Sequence, residues 1–310
     1  MSKIAFVSTF IRDEIIPLQG HPTQSIGGLY HGLAYAAFLA GEDTELYPVA
    51  TVGEDFQDIL LPRLGKLPRL NLEMLHFISQ KNTAVRLKYI SETERDEFTT
   101  APMPPISGDR LIQLADFDAV LFNMVSGEEL ELETLQHFQH NANCLVYLDF
   151  HTLALARDTE GKRYPNCPEN WQDWIRCVDY VQMNEKEAAI LSGDDIRKDD
   201  VKAREFLQRL LGLGVRGVLI TLGDKGVLAG LRQNNGANEI QFFENPKSQS
   251  PVVDIIGCGD AFGAVFLLNF VKYQNFWQAI KKAMLIATFN TTFLGSITKE
   301  IFKEKIQPYA

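Results

Sequence analysis

Short apolar runs rich in β-branched residues alternate with longer stretches of helical period along most of the chain. The first run is IAFVSTF (4–10). A small-residue helix follows over about 30–40, and Gly41 stops it. TELYPVATVG (44–53) is strand-like, although Pro48 predicts a bend or an edge. DAVLFNMV, CLVYLDF, DYVQM and GVLITLG read as further strands. Helical patterns at 128–141, 184–191 and 201–211 fall between them. This alternation predicts an α/β fold: a mostly parallel central sheet covered by helices on both faces.

Two segments break the rhythm. NTAVRLKYISETERDEFTTAP (82–102) reads as extended pieces around a polar turn, a hairpin standing outside the main sheet. On it Arg86 and Lys88 share one strand face, and Arg95 follows. The segment 157–171 is polar and loop-like. With no fixed-period repeat, no low-complexity tract and no evident linker, one domain over 1–310 with a small β lid including 82–102 is the simplest organisation.

Composition narrows the function more than the fold. The chain has 310 residues, 45% hydrophobic and 23% charged, enough to bury a core without staples. Its formal net charge of −10 argues against nucleic-acid and acidic-membrane partners, which both need a basic face. The four cysteines, Cys144, Cys167, Cys177 and Cys258, form no C-x-x-C pair, so zinc-ligand spacing is absent. Their sparse use fits a reducing compartment. The N-terminal apolar run is too short for a signal peptide, and Arg12 and Asp13 close it. No run approaches the ~18 apolar residues of a membrane span. A soluble cytoplasmic protein is expected.

The sharpest chemical signal is VVDIIGCGDAFGAVFLLNF (252–270), a strand-like run, a glycine turn holding one acid, and a helix with almost no polar residue. A helix N-terminus gathers unpaired N–H groups and the positive end of the dipole. Gly257 and Gly259 let the backbone approach closely, and with Cys258 they can form an anion nest suited to a phosphoryl group in transfer. Asp260 beside such a nest can accept the proton of an attacking hydroxyl. An N-cap aspartate after two glycines explains the stretch structurally about as well. The spacing misses G-x-G-x-x-G, and no Walker loop occurs.

Other signals are weaker alone. Gly27 and Gly28 precede the first helix, where they can admit a polyhydroxylated substrate or simply make a tight turn. Asp13 can bind two sugar hydroxyls or be a solvated loop charge. Asn184 and Glu187 have capping-box spacing, and alternatively place an Asn near phosphates and a Glu near Mg²⁺ through water. Thr221, Gly223 and Gly226 end a strand in a turn able to pass beneath a ribose or phosphate. His137 and His140, among several glutamates, read as a solvated helix face. Asp149, His151 and Arg157 follow CLVYLDF near the expected ligand edge, and loop polarity explains them equally. Phe262, Phe266 and Phe270 read as core.

Four of these segments, in this order, resemble the ribokinase-like (PfkB) family of carbohydrate kinases over nearly the whole chain: Gly27 with Gly28, Asn184-x-x-Glu187, Thr221-Leu222-Gly223, and Asp254-x-x-Gly257-x-Gly259-Asp260. The resemblance implies a three-layer α/β/α sandwich with a β lid, and ATP with Mg²⁺ as donor system. It further implies Asp260 as base and Gly257, Cys258 and Gly259 as anion hole. Asn184, Glu187, Thr221, Gly223 and Gly226 fall on the donor side, and Asp13, Gly27, Gly28 and His31 on the substrate side. Asp254 falls where relatives hold a monovalent cation such as K⁺, and Glu187 where Mg²⁺ is reached through water. Relatives also pair through their lids, so a homodimer is one expectation. The sequence departs from the family at Gly32, where an Asn usually touches the sugar, and at Ile255 and Ile256, where a hydroxyl residue usually follows the first Asp.

The resulting expectation is an ATP-dependent phosphotransferase acting on a hydroxyl of a sugar or sugar-like small molecule. A nucleoside kinase of the same fold is the nearest rival. A sugar- or nucleotide-binding regulator without turnover is another, and a dehydrogenase a remote third.

Overall fold

The computed structural model describes residues 1–90, 95–233, 236–246 and 250–309. The polar turn expected within 82–102 falls partly on 91–94, outside those residues. The strands are β1 (Ser2–Val7), β2 (Phe10–Ile16), β3 (Thr23–Gly28), β4 (Thr44–Gly53), β5 (Leu75–Ile78), β6 (Ala84–Tyr89), β7 (Arg95–Thr99) and β8 (Ala119–Asn123). They continue as β9 (Leu145–Asp149), β10 (Leu155–Arg157), β11 (Arg163–Pro165), β12 (Tyr180–Asn184), β13 (Gly217–Thr221), β14 (Gly226–Arg232) and β15 (Asn238–Glu244). The helices that matter below are α1 (Leu29–Leu39), α2 (Glu54–Leu64), α3 (Gly108–Leu111), α4 (Leu132–Asn141), α5 (Trp171–Arg176), α6 (Glu185–Ser192), α7 (Asp200–Gly212), α8 (Cys258–Tyr273) and α9 (Phe276–Asn290).

The main sheet has nine strands in the order β15-β14-β13-β12-β9-β8-β1-β4-β5. From β13 to β5 every neighbouring pair is parallel; β14 and β15 add an antiparallel edge. Strand periodicity sorts side chains into two cores. Ile4 and Phe6 of β1 enter one with α1, α2, α8 and α9, while Ala5 and Val7 enter the other with α4, α5 and α7. The expected three-layer α/β/α sandwich is the result.

Pro48 lies inside β4, which pairs on both sides. The N–H of Leu46 points to Arg69 and the carbonyl of Val49 to Ser8, so even-numbered positions face the β5 side. There Pro48 falls between the Leu46↔Leu70 bridge and the ladder that begins at Ala50, where a missing N–H costs no ladder bond.

Helix α8 is apolar on nearly all sides because it is enclosed: it packs on α1 and α9, and Ala261 through Leu268 are buried. Phe266 and Phe270 stack with centroids 5.8 Å apart, and Phe270 meets Tyr180 of β12 edge-on at 5.0 Å. Burying each such ring contributes about 1.5–3 kcal/mol, so the helix whose first turn carries Asp260 is anchored along its length.

A second sheet, ordered β3-β2-β6-β7, stands outside the main one. β6 and β7 lie within 82–102, but half of this lid comes from residues 10–28. The run 4–10 is therefore two strands, broken at Ser8 and Thr9. The loop expected at 157–171 overlaps the β10–β11 hairpin, antiparallel and bridged to β7 through Phe98↔Lys162.

Candidate active site

The parallel strands end in polar residues along one edge of the sheet: β8 in Asn123, β9 in Asp149, β12 in Asn184 and β13 in Thr221. Register brings them side by side, with Asn123 opposite Asp149, Asp149 opposite Gln182, and Asn184 opposite Thr221. Helix α8 begins at the same edge. Its N-cap, Gly257, has φ 75°, a conformation that a residue with a Cβ rarely adopts. A Cβ there would also fall 2.9 Å from the His31 ring. The N–H groups of Gly259 and Asp260 sit in the first helical turn, where no intrahelical acceptor exists.

Asp260 is half-buried on this turn, and Asn123 Nδ2 donates to its Oδ1 at 2.6 Å. Gln182 supports the turn from below. Its Nε2 donates to Asp149 Oδ2 at 3.0 Å and to the Gly259 carbonyl at 3.1 Å, and its Oε1 accepts from the Tyr147 hydroxyl at 2.7 Å. Asn123 and Gln182 escape a motif-based reading. The available signal was the polar residue in or closing each apolar run, AVLFN, LVYLD and YVQMN.

Three carboxylates feel one another's charge here. Asn184 and Glu187 do form a capping box: Asn184 Oδ1 accepts from the N–H groups of Lys186 and Glu187, and Glu187 accepts from the Asn184 N–H at 2.8 Å. Yet Glu187 is buried, and burial, with the charge of Asp260 adding, pushes its pKa up to about 8. Asp149 is raised well above the usual carboxylate range by burial, then by Glu187 and Asp260. Crowded acidic oxygens that resist ionisation suit a hard divalent cation. Among the described residues no group of three or more His, Cys, Asp or Glu side chains could hold a metal ion by itself. Such an ion would rely on water and donor phosphates for its other ligands, the usual habit of Mg²⁺.

At the turn after β13, Thr221 ends the strand, Gly223 has φ 59° and Gly226 φ 129°. A Cβ on Gly226 would lie 1.9 Å from the Phe243 carbonyl oxygen, so this glycine serves the close approach of β15. Arg197 ties the turn to α6: it donates to Glu185 at 2.7 Å and to the Leu222 carbonyl at 3.2 Å, and pairs with Asp224. That tie was not expected from sequence.

On the other side, Asp13 is a buried residue of β2 rather than a loop charge. Gly27 lies across from this strand, and a Cβ there would fall 1.9 Å from Asp13 Oδ2. The glycine therefore makes room for the carboxylate. Gly28, at φ 61°, passes so close to the Thr9 carbonyl that a Cβ would fall 2.3 Å from its oxygen. His31 packs behind Gly257, with Nδ1 3.1 Å from Ser296 Oγ. Burial keeps its pKa below the ordinary value, against the charges of Asp260 and Asp254. Gly32 faces the Asp260 carbonyl, which a Cβ would approach to 2.9 Å, so its small size sets the α1–α8 spacing. Asp254 accepts N–H bonds from Ile256 and Gly295. In the lid, Val85 and Leu87 are buried while Arg86 and Lys88 are exposed, and Arg86 pairs with Glu14 at 2.7 Å.

A small polar cavity of about 90 Å³ opens where the lid meets the loop after β8, lined by Thr99, Ser126, Thr152, Arg157 and Arg163 among others. None of its lining residues belongs to the 254–260 turn. Among the described residues, no helix is long and apolar enough to cross a membrane.

Comparison with known proteins gives a consistent result. The model of the pfkB family of carbohydrate kinases matches residues 4–301. Deoxyribokinases of Salmonella typhi and Salmonella typhimurium are 31% identical over 118 residues, 38% of this chain and 36% of theirs, so the chain spans about a third of the length of these curated relatives. The ribokinase of Thermotoga maritima superposes with a TM-score of 0.76 at 19% identity, over 99% of this chain and 100% of that one. A sulfate complex of a pyrophosphate-dependent kinase in the ribokinase family gives 0.76 at 16% identity, over 98% and 99%. The ribokinase of Cryptococcus neoformans var. grubii serotype A in complex with ADP gives 0.71 at 17% identity, over 96% of each chain.

Proposed function

The chain belongs to the pfkB family of carbohydrate kinases, and on that footing we propose that it moves the γ-phosphoryl group of ATP to a hydroxyl of a sugar or sugar-like small molecule. The observation that carries this reading is the placement of Asp260: a half-buried carboxylate, fixed by Asn123, in the N–H-rich first turn of α8. The ADP-bound ribokinase supports a nucleotide donor.

In this reading the acceptor hydroxyl approaches Asp260, which takes its proton as the oxygen bonds to the γ-phosphorus and the bond from that phosphorus to the bridging oxygen breaks, releasing ADP. General-base assistance of this kind is worth about 10²–10⁴-fold. The N–H groups of the turn made by Gly257, Cys258 and Gly259 meet charge on the transferring group. Gln182 holds the Gly259 carbonyl and so fixes the turn beneath the reacting atoms. Asn184, Thr221, Gly223 and Gly226 serve the donor, and Asp13, Gly27 and Gly28 the acceptor, with His31 supporting the nest from behind. Mg²⁺ would be held through Glu187 and Asp149, directly or by water, and supplies charge neutralisation on the donor phosphates. The lid excludes water from the pair of substrates. The buried Asp13 carboxylate, for which Gly27 leaves room, supports recognition of acceptor hydroxyls.

An ADP-release assay over sugars, sugar alcohols, sugar phosphates and nucleosides with Mg·ATP tests the proposal, with pyrophosphate as a second donor. Turnover with a hydroxyl-rich acceptor is expected. Turnover confined to nucleosides would shift the reading to a nucleoside kinase. Tight acceptor binding without release of ADP or phosphate would leave a regulator.

A further inference from the structure

Gln182 stands in the middle of an otherwise apolar strand, on the face of β12 that Tyr180 also uses, toward α8. A buried amide in such a place costs free energy unless its polar atoms find partners. Here they do. The two N–H groups on Nε2 go to Asp149 Oδ2 at 3.0 Å and to the Gly259 carbonyl at 3.1 Å, and Oε1 accepts from the Tyr147 hydroxyl at 2.7 Å. Tyr147, Asp149 and Gln182 are all buried.

The surroundings are shaped to this amide. The Gly259 carbonyl can only accept, so the amide nitrogen has to face it and the Tyr147 hydroxyl is left for the oxygen. Gly263, one turn further along α8, leaves the room: a Cβ there would fall 2.9 Å from Gln182 Oε1 and 3.5 Å from the Tyr147 ring. That ring is held in turn against Phe266, with centroids 5.5 Å apart.

One nitrogen thus joins two parts of the site that have different partners. Asp149 belongs to the carboxylates suited to a divalent cation. The Gly259 carbonyl belongs to the same planar peptide unit as the Asp260 N–H, a donor of the first turn of α8 with no intrahelical acceptor. Fixing the oxygen of that plane fixes the direction of its N–H. A shift of Asp149 toward a cation or its water therefore reaches the nest through one side chain, and buried networks of satisfied hydrogen bonds transmit such shifts as a unit.

We propose that Gln182, oriented by Tyr147, is a positioning residue that couples the metal-side carboxylate Asp149 to the nest, so that Mg²⁺ on the donor and the γ-phosphoryl group in the nest favour each other's binding. Such coupling is reciprocal. It rests on the kinase reading, which supplies both the metal-bound donor and the group that enters the nest.

The test is calorimetric titration of the full chain with AMP-PNP and with ADP, each in Mg²⁺ and in EDTA. The quantity read is the factor by which Mg²⁺ tightens each nucleotide. ADP has no γ-phosphoryl group for the nest to meet and serves as the control. In Gln182→Met the factor for AMP-PNP is expected to fall by about fivefold or more, while that for ADP changes by less than about twofold. Tyr147→Phe is expected to lower the AMP-PNP factor in the parent and to add nothing in the Gln182→Met background, because it acts through the amide. Gly263→Ala, which pushes on Oε1 while favouring the helix, is expected to shift the factor in the same direction. If Gln182→Met does not fold, Tyr147→Phe and Gly263→Ala carry the comparison. An unchanged AMP-PNP factor, or an equal fall for both nucleotides, overturns the coupling and leaves the kinase reading standing. A full further effect of Tyr147→Phe in the Gln182→Met background overturns the orienting role of Tyr147. A parent that binds neither nucleotide refutes the kinase reading, and the coupling with it.

Discussion

Asn123 Nδ2 lies 2.6 Å from Asp260 Oδ1, joining the end of a central strand to the first turn of a buried helix 137 residues further along the chain. The amide holds the carboxylate in one orientation at the edge of the sheet. Misplacement of a reacting group by about 1 Å can cost on the order of 10²-fold in rate. Asn123→Ala is therefore expected to lower kcat by roughly 10–100-fold while the acceptor KM changes little. Steady-state kinetics with the acceptor found by the panel check the split between the two constants.

Gly27→Ala places a methyl group where Asp13 now has its carboxylate, 1.9 Å from Oδ2. The carboxylate has to move, and the lid strand with it. We expect the acceptor KM to rise by about tenfold or more, since an unmade charged hydrogen bond is worth about 1.5–3 kcal/mol. Donor binding stays near that of the parent, which a nucleotide titration measures.

Gly32 stands where the resemblance to the family implied an Asn, and its lack of a side chain is structural. A Cβ there would meet the Asp260 carbonyl oxygen at 2.9 Å and Ala264 Cβ at 3.3 Å. Gly32→Asn, the family residue, is predicted to destabilise the protein by about 1–3 kcal/mol through overpacking. It also displaces the first turn of α8. Urea unfolding measures the first effect and kcat the second; a variant as stable as the parent would contradict the packing argument.

The parts of this site that lie close together in sequence were legible there. The nest and Asp260 occupy one short turn, and Asn184 and Glu187 one helical turn, so their proximity could be read from spacing. Most strands of the main sheet were legible for the same reason, because each apolar run carries its own period. Asn123, Asp149 and Gln182 meet only through the register of three parallel strands, which no local pattern records. The N-terminal half of the lid was hidden differently. FIRDEII pairs with β6 across a long gap in sequence, and its charged residues mask the strand alternation. A solvated loop charge therefore stayed open as an alternative for Asp13. Pro48 suggested an edge because the interruption of the β5 ladder beside it is also non-local.

Glu187 gives the protein a pH signature. Its folded-state pKa is raised to about 8, chiefly by burial, so between the ordinary carboxylate value and about 8 the folded state binds the proton more tightly than the unfolded chain. Stability is then highest below that window and declines as pH rises through it. Glu187→Gln keeps the capping box, since Gln serves at that position as well as Glu. The variant should show a flatter stability profile across the window and a gain relative to the parent near pH 8, measured by denaturant unfolding at a series of pH values. Mg²⁺ added near pH 8 should stabilise the parent more than the variant.

The most direct test of the central claim is the turnover of Asp260→Asn beside the parent, with Mg·ATP and the parent's best acceptor, while nucleotide binding is measured on the same samples. Asparagine keeps the shape of the side chain and removes its basicity. The account predicts a loss of about 10²–10⁴-fold in kcat with ATP affinity largely intact. Turnover equal to that of the parent would show that the proton leaves the acceptor by another route and would contradict the assignment.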